Sequence, residues 1–333
     1  MPRRPERPSR HAPPPPRSAG RAPGRAAPVD PRPSFHRDAD VVDDAEHKVA
    51  GENACRALFA MRPDDIRRVY VTEAVLPRFK DVLKFCAERR LAYHVKTDDD
   101  LDQIAETVHH DGVLFLARRQ RDARVADMLA WAERLRPGQR SVIVLLENVK
   151  NPHNLGAILR VCAHFGVPWV LRAGQTPALS PAAMRTAEGG AEHCRVVGSA
   201  DDGGLDATLT RLQALGFRLL ATSSHATLPL GREALPARAV VMFGSEGEGL
   251  TKALVKRADD VIAIPGSGAL ESLNVACAAS VVLWELWRGA ADAGAPQHRT
   301  TSPAAPARPF KDGPGPRDGR RGRSAPRRGG PRG

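Results

Sequence analysis

The stretch from Val240 to Leu286 constrains the fold more than any other part of this 333-residue chain. It begins VVMFGSEGEGL, passes through a short amphipathic spacer and continues VIAIPGSGALESLNVACAASVVLWEL. Two short apolar runs, Val240–Phe243 and Val261–Ile264, each break into a glycine-rich loop. Apolar runs of that length bounded by Gly and Pro read as buried strands. Loops leaving the carboxyl ends of parallel strands are where open α/β sheets hold ligands. The second loop enters Leu273–Trp287, a helix with almost no polar face, which calls for burial in a core or against another subunit.

Upstream, strands and helices alternate. From Ser141 the pattern gives strands Ser141–Leu146, Trp169–Arg172, His193–Val197 and Phe217–Ala221, with helices Leu155–Phe165, Ala182–Glu188 and Leu205–Leu215 between them. That alternation predicts an open, mostly parallel sheet with helices on both faces over residues 140–288. Residues 41–117 read as a separate small α/β/α sandwich. Its helices are Gly51–Met61, Pro77–Arg89 and Leu101–Val108, and its strands Ile66–Val71, Ala92–Val95 and Val113–Leu116. Residues 118–139 form a charged, mostly helical connector with Trp131 and Leu135 on one side. Its arginines Arg118, Arg119, Arg121 and Arg124 suit a solvated face or a phosphate backbone.

The formal net charge is +12, and its distribution matters more than its total. Residues 1–40 carry nine Arg against four acids, and residues 288–333 ten Arg and one Lys against three acids. The net basicity therefore lies in two Pro-, Gly- and Arg-rich tails, 1–40 and 289–333, both expected to be disordered. Such tails act as solvated linkers or as salt-sensitive contacts to nucleic-acid phosphate. Five cysteines without ligand spacing favour buried, reduced thiols in a cytoplasmic protein. No apolar run is long enough for a membrane span, and the N-terminus lacks the apolar segment of a secretory signal. No metal site is expected; His109, His110 and Asp111 read as a loop before a strand.

Three polar clusters carry the candidate chemistry. The first, ENVKNPHNLGAILR, follows the Ser141 strand, with Asn154 as a helix cap and Arg160 six residues on. Asn and Arg at a strand-end cleft suit phosphate or ribose. The second, Gly244 to Gly249, has neither the GxGxxG order nor the lysine of a phosphate-binding loop. Its acids would repel phosphate, so it suits a neutral or cationic ligand, with Glu246 available to pair a cation such as Arg160. In the third, Ser272 caps the apolar helix and Asn274 sits in its first turn.

In this order and spacing the clusters resemble the three motifs of the SpoU (TrmH-type) branch of the SPOUT RNA methyltransferases. The first motif stands as Asn154, Gly156 and Arg160, the second as Gly244 to Leu250, and the third as Ser272, Leu273 and Asn274. Residues 48–116, opening KVAGENACRALF and closing HHDGV, resemble the family's L30e-like substrate-binding domain. The resemblance implies an α/β fold with a deep trefoil knot, an exception to the rule against threaded chains. It implies S-adenosylmethionine as cofactor, with Gly244, Ile264 and Leu273 lining its pocket and Thr222 and Ser223 nearby. It implies Arg160 as the catalytic arginine, organised by Asn154 and Glu246, with Ser272 and Asn274 shaping the methyl-transfer site. It implies a homodimer through the knot face.

The function so implied is methyl transfer to a ribose 2′-hydroxyl of tRNA or rRNA. The alternative is a non-catalytic RNA-binding or ribosome-assembly paralogue on the same fold. Departures from the family pattern at Ser245 and Gly266 fall on loop positions, and Arg185–His193 occupies a variable region after the first motif.

Overall fold

The computed structural model describes residues 46–119, 123–199, 203–231 and 235–292. In chain order these form β1 (Glu46–Ala50), α1 (Glu52–Met61), β2 (Ile66–Val71), α2 (Lys80–Arg89), β3 (Ala92–Val95), α3 (Asp98–Ala105) and β4 (Val113–Arg118). There follow α4 (Val125–Glu133), β5 (Ser141–Glu147), α5 (Pro152–His164), β6 (Trp169–Ala173), α6 (Pro181–Ala187), α7 (Gly190–His193) and β7 (Arg195–Gly198). The chain continues through α8 (Gly204–Ala214), β8 (Arg218–Thr222), β9 (Leu228–Pro229), β10 (Arg238–Phe243), α9 (Lys252–Arg257), β11 (Asp260–Ala263) and α10 (Val275–Asp292).

The larger sheet has the order β7-β6-β5-β10-β8-β11-β9, and every pairing in it is parallel. Side chains alternate between its two faces, as the strand repeat requires. Val144 and Leu146 of β5, with Val241 and Phe243 of β10, pack under α5 and α10 against Leu155, Ile158, Leu159, Val282 and Leu286. Ile143, Leu145, Val240 and Met242 face the opposite way, onto Met128, Leu129, Leu209 and Leu212 of α4 and α8. Burial on both faces explains the unbroken apolar runs of β5 and β10. The strand order reverses between β5 and β10, so their carboxyl ends open side by side into a crevice of the kind that holds ligands.

The smaller sheet has the order β1-β4-β2-β3, with β4 antiparallel to both β1 and β2. Its core gathers Leu58, Val69, Val82, Phe79 and Phe115, the last two edge to face at 6.0 Å. α1 packs on α7, and α6 on β1. Arg62 seals that junction, its guanidinium reaching both Glu192 oxygens at 2.6 and 2.8 Å while the Glu192 side chain is 2% exposed. Such a pair stabilises little beyond an apolar contact, but losing one partner strands a buried charge. His47 of β1 sits beside it, and burial, followed by the charge of Arg62, pushes its imidazole down to about 4.

Several expectations shift. α1, β2 and β3 fall as read, while β1 escapes a pattern search because EHKVA has too few apolar residues at an edge. His193–Val197 divides into the short α7 and β7. The connector is helical only as α4, and Arg121 lies outside the described residues. The tails expected at 1–40 and beyond residue 292 also lie outside them, while residues 289–292, assigned by pattern to the second tail, continue α10. Four cysteines are buried as expected, but Cys277 is exposed on α10. Among the described residues no helix is long and apolar enough to cross a membrane.

Candidate active site

α5 begins one turn earlier than its sequence suggests. Asn151 caps it, its side chain accepting from the His153 amide at 2.9 Å, and Pro152 takes the first helical position, where its missing N–H costs nothing. Asn154 is therefore not the cap. It lies within the first turn, 9% exposed, and its amide is free to reach across the crevice. Asn154 Nδ2 donates to Glu246 Oε1 at 3.0 Å.

Asn274 completes the cluster. Its Nδ2 donates to Glu246 Oε1 at 2.6 Å and to Asn154 Oδ1 at 3.0 Å. Its Oδ1 accepts from the backbone of Ala276 at 2.9 Å and Cys277 at 3.4 Å. Asn274 thus caps α10, the part expected of Ser272, which is exposed one turn before the helix. The cap fixes which amide atom faces the helix and which faces Glu246.

The loop after β10 is folded tightly. A Cβ on Gly244 would lie 2.0 Å from the Gly249 carbonyl carbon, so only glycine permits the loop to cross there. Gly249 N donates back to Ser245 O at 3.0 Å. Glu147, at the end of β5, accepts from Thr251 N at 2.7 Å and Thr251 Oγ1 at 3.0 Å, tying the far end of the loop to the sheet. The role of Glu147 is barely marked in the sequence, where it is an acid closing an apolar strand.

Of the five positions assigned to the cofactor, Gly244, Thr222, Ser223 and Ile264 lie at the carboxyl ends of β10, β8 and β11, which are neighbours in the sheet, while Leu273 lies just before α10. Ser223 N donates to Ile262 O at 3.0 Å, and the Thr222 hydroxyl braces Met242 O at 2.8 Å. Gly244 and Ile264 are half-buried and Leu273 is 50% exposed. A Cβ on Gly266 or Gly268 would meet nothing within 4 Å. Ser245 Oγ is buried without a hydrogen-bond partner, which marks a place for a polar ligand atom. Backbone polar groups, two apolar side chains and an acid suit an adenosine carrying a sulfonium, so the residues present fit S-adenosylmethionine.

Arg160 is not part of this cluster. Six residues beyond Asn154 on α5, it leaves the helix about 120° away from it. Its guanidinium pairs with Glu188 at 2.6 Å, and among the described residues no ion pair joins it to Glu246. The expected organisation of Arg160 by Asn154 and Glu246 is thus absent within one chain. Among the described residues no group of His, Cys, Asp and Glu could hold a metal. His110 uses Nε2 on Asp102 at 2.8 Å and accepts the Gly112 amide on Nδ1 at 2.9 Å, both structural contacts.

Comparison with known proteins follows the same division. Residues 141–284 match the SpoU rRNA Methylase family, and residues 48–123 match a family described as RNA 2′-O ribose methyltransferase substrate binding. An uncharacterized tRNA/rRNA methyltransferase, YfiF of Escherichia coli O157:H7, is 40% identical over 243 residues, covering 73% of this chain and 68% of the relative. The 23S rRNA (guanosine-2′-O-)-methyltransferase RlmB of Pseudomonas putida is 28% identical over 249 residues, 72% of this chain and 96% of the relative. The fold is that of the SpoU methyltransferase AviRb from Streptomyces viridochromogenes, solved with AdoMet, at a TM-score of 0.62 and 19% identity over 74% of this chain and 92% of that one. The chain belongs to the SpoU family of S-adenosylmethionine-dependent RNA 2′-O-ribose methyltransferases.

Proposed function

We propose that this chain is a working enzyme that methylates a ribose 2′-hydroxyl in ribosomal or transfer RNA. The observation that carries the reading is the Asn154–Glu246–Asn274 cluster, closed by three hydrogen bonds at the mouth of the glycine-rich loops.

S-adenosylmethionine supplies a methyl group on a positively charged sulfur. The loops after β10 and β11 would hold it, with Gly244, Ile264 and Leu273 against it and Ser245 Oγ available to a polar atom. Glu246, its Oε1 steadied by two amide donors, would offer a carboxylate to the positively charged methyl donor. The Arg160 guanidinium is a donor fork without an acceptor, so it acts on the 2′-oxygen and flanking phosphate by charge and hydrogen bonding. The smaller sheet and its helices would seat the RNA.

The dimer and the knot belong to this proposal. α10 buries Ala279, Val282, Leu283 and Leu286 but leaves Val281 39% and Trp284 48% exposed. Trp284 stacks on Trp287 at 5.4 Å, and Phe165, which caps the end of α5, lies 6.3 Å from both. A second copy covers this aromatic face and offers a way to bring one copy's Arg160 to the cofactor loops of the other. The passage from β10 through β11 into α10 would be the trefoil crossing, and the cytoplasm the place of action.

Ribose-methylation maps of total RNA, made with and without the gene, test the reading. A lost 2′-O-methyl mark that wild-type protein restores and Arg160→Ala does not, with cofactor affinity intact, is expected. No lost mark, with tight RNA binding retained, would establish the non-catalytic alternative.

A further inference from the structure

Glu188 is where the substrate-binding half of the chain meets Arg160, and it lies outside the three motifs. It follows α6 with φ 45° and ψ 48°, a left-handed conformation that a residue with a Cβ keeps only when its surroundings hold it there. Its carboxylate is divided between two partners. Oε1 takes Arg160 at 2.6 Å, and Oε2 accepts from Asn53 Nδ2 of α1 at 3.2 Å. The next two residues are glycines without room for a side chain. A Cβ on Gly189 would lie 2.6 Å from Ala57 Cβ, and one on Gly190 would lie 2.8 Å from Arg160 Cα. α1 and α5 therefore clamp this turn from opposite sides, and Glu188 holds one residue of each.

We propose that Glu188 is a positioning residue. It aims the Arg160 guanidinium and ties that aim, through Asn53, to the substrate-binding half, so RNA seated there meets an arginine already directed. The inference rests on the reading of Arg160 as the group acting on the ribose. A carboxylate suits the task because its two oxygens accept from a guanidinium and an amide at once while leaving the guanidinium charged. The Arg160 and Glu188 side chains are 58% and 43% exposed, so RNA can reach the pair. An exposed ion pair adds little stability, so its loss registers in turnover rather than in melting. A reacting group displaced by one ångström can cost about 100-fold in rate.

Full-length wild type, Glu188→Gln, Asn53→Ala and the double variant are compared for methyl transfer from tritiated S-adenosylmethionine to total RNA from cells lacking the gene. Glu188→Gln is expected to lower kcat by about 10-fold or more, with the cofactor KM and melting temperature unchanged. Asn53→Ala lowers kcat by a smaller factor, and the double variant is no worse than Glu188→Gln. Unchanged kcat in Glu188→Gln, or a melting temperature that falls in step with kcat, overturns the proposal. A second measurement needs no activity: the Nε–Hε resonance of Arg160 in isotope-labelled protein, assigned with Arg160→Lys. Glu188→Gln and Asn53→Ala both move it if the coupling exists. A resonance that Asn53→Ala leaves in place overturns the coupling, even where wild type transfers no methyl group and the functional reading fails separately.

Discussion

Asn154 and Glu246 stand 92 residues apart in sequence, yet the amide of one donates to the carboxylate of the other at 3.0 Å. The contact exists because β5 and β10 are adjacent and parallel, so the loops leaving them start side by side. Asn274 then binds both residues from the loop before α10. One carboxylate oxygen receives two amides, which fixes the first turn of α5 and two loops with respect to each other before any ligand arrives.

Asn274 has two tasks that substitution can separate. Asn274→Ala removes the α10 cap and the links to Glu246 and Asn154, and is expected to destabilise the fold by about 1 kcal/mol. Asn274→Ser keeps a capping oxygen and loses the reach to Glu246. Its melting temperature should match wild type while methyl transfer falls about 100-fold, the cost of a misplaced site. Full activity in Asn274→Ser would remove the cluster from the mechanism.

Gly244 and Gly266 give a paired test of the loops. Alanine at Gly244 would place a Cβ 2.2 Å from both the Gly249 oxygen and the Leu250 nitrogen, so the loop must open. Cofactor binding measured by calorimetry is expected to be lost in Gly244→Ala. Gly266→Ala meets open space at an ordinary backbone angle, so a change below about 0.5 kcal/mol in stability is expected. Tight cofactor binding by Gly244→Ala would show that the loop's shape is not what holds the ligand.

The sequence made the sheet legible because both of its faces are buried. Short, β-branched-rich runs such as SVIVLL and VVMF, bounded by Gly and Pro, read as central strands, and their glycine-rich exits mark the carboxyl edge. The motif residues were legible only together, through the family resemblance that their order and spacing carry; each cluster by itself reads as an ordinary cap or turn. Which residue caps each helix was not legible. Asn151 and Asn154 both precede apolar helical residues, and only the proline between them decides which one caps. Ser272 and Asn274 posed the same choice, and the longer reach of asparagine lets one side chain cap α10 and bind Glu246. The partner of Arg160 was hidden more deeply. Charge complementarity pointed to Glu246, but helical rotation turns Arg160 toward Glu188, which only the packing of α6 brings near.

Trp284 tests the dimer. It is 48% exposed and stacked on Trp287, so a change there leaves the core of one chain intact. Trp284→Glu places a charge in the middle of the apolar face and is expected to yield a monomer in sedimentation experiments, with an unchanged far-ultraviolet spectrum. Methyl transfer should fall with it if the sites are completed across copies. A wild-type protein that sediments as a monomer at working concentration would dismiss the face as an interface.

His47 makes the junction between α1 and α7 sensitive to acid. Burial and the neighbouring Arg62 lower its imidazole from 6.5 to about 4 in the folded chain, so the native form is neutral. As pH falls, the unfolded chain takes up the proton first. The stability tied to neutral His47 is therefore fully present above 6.5, is lost progressively as pH falls toward about 4, and changes no further below that. The interval between those two values corresponds to about 3 kcal/mol at most. Urea unfolding followed across this range should show the slope in wild type and a flatter profile in His47→Gln. An identical slope in the two proteins would assign the acid sensitivity to other groups.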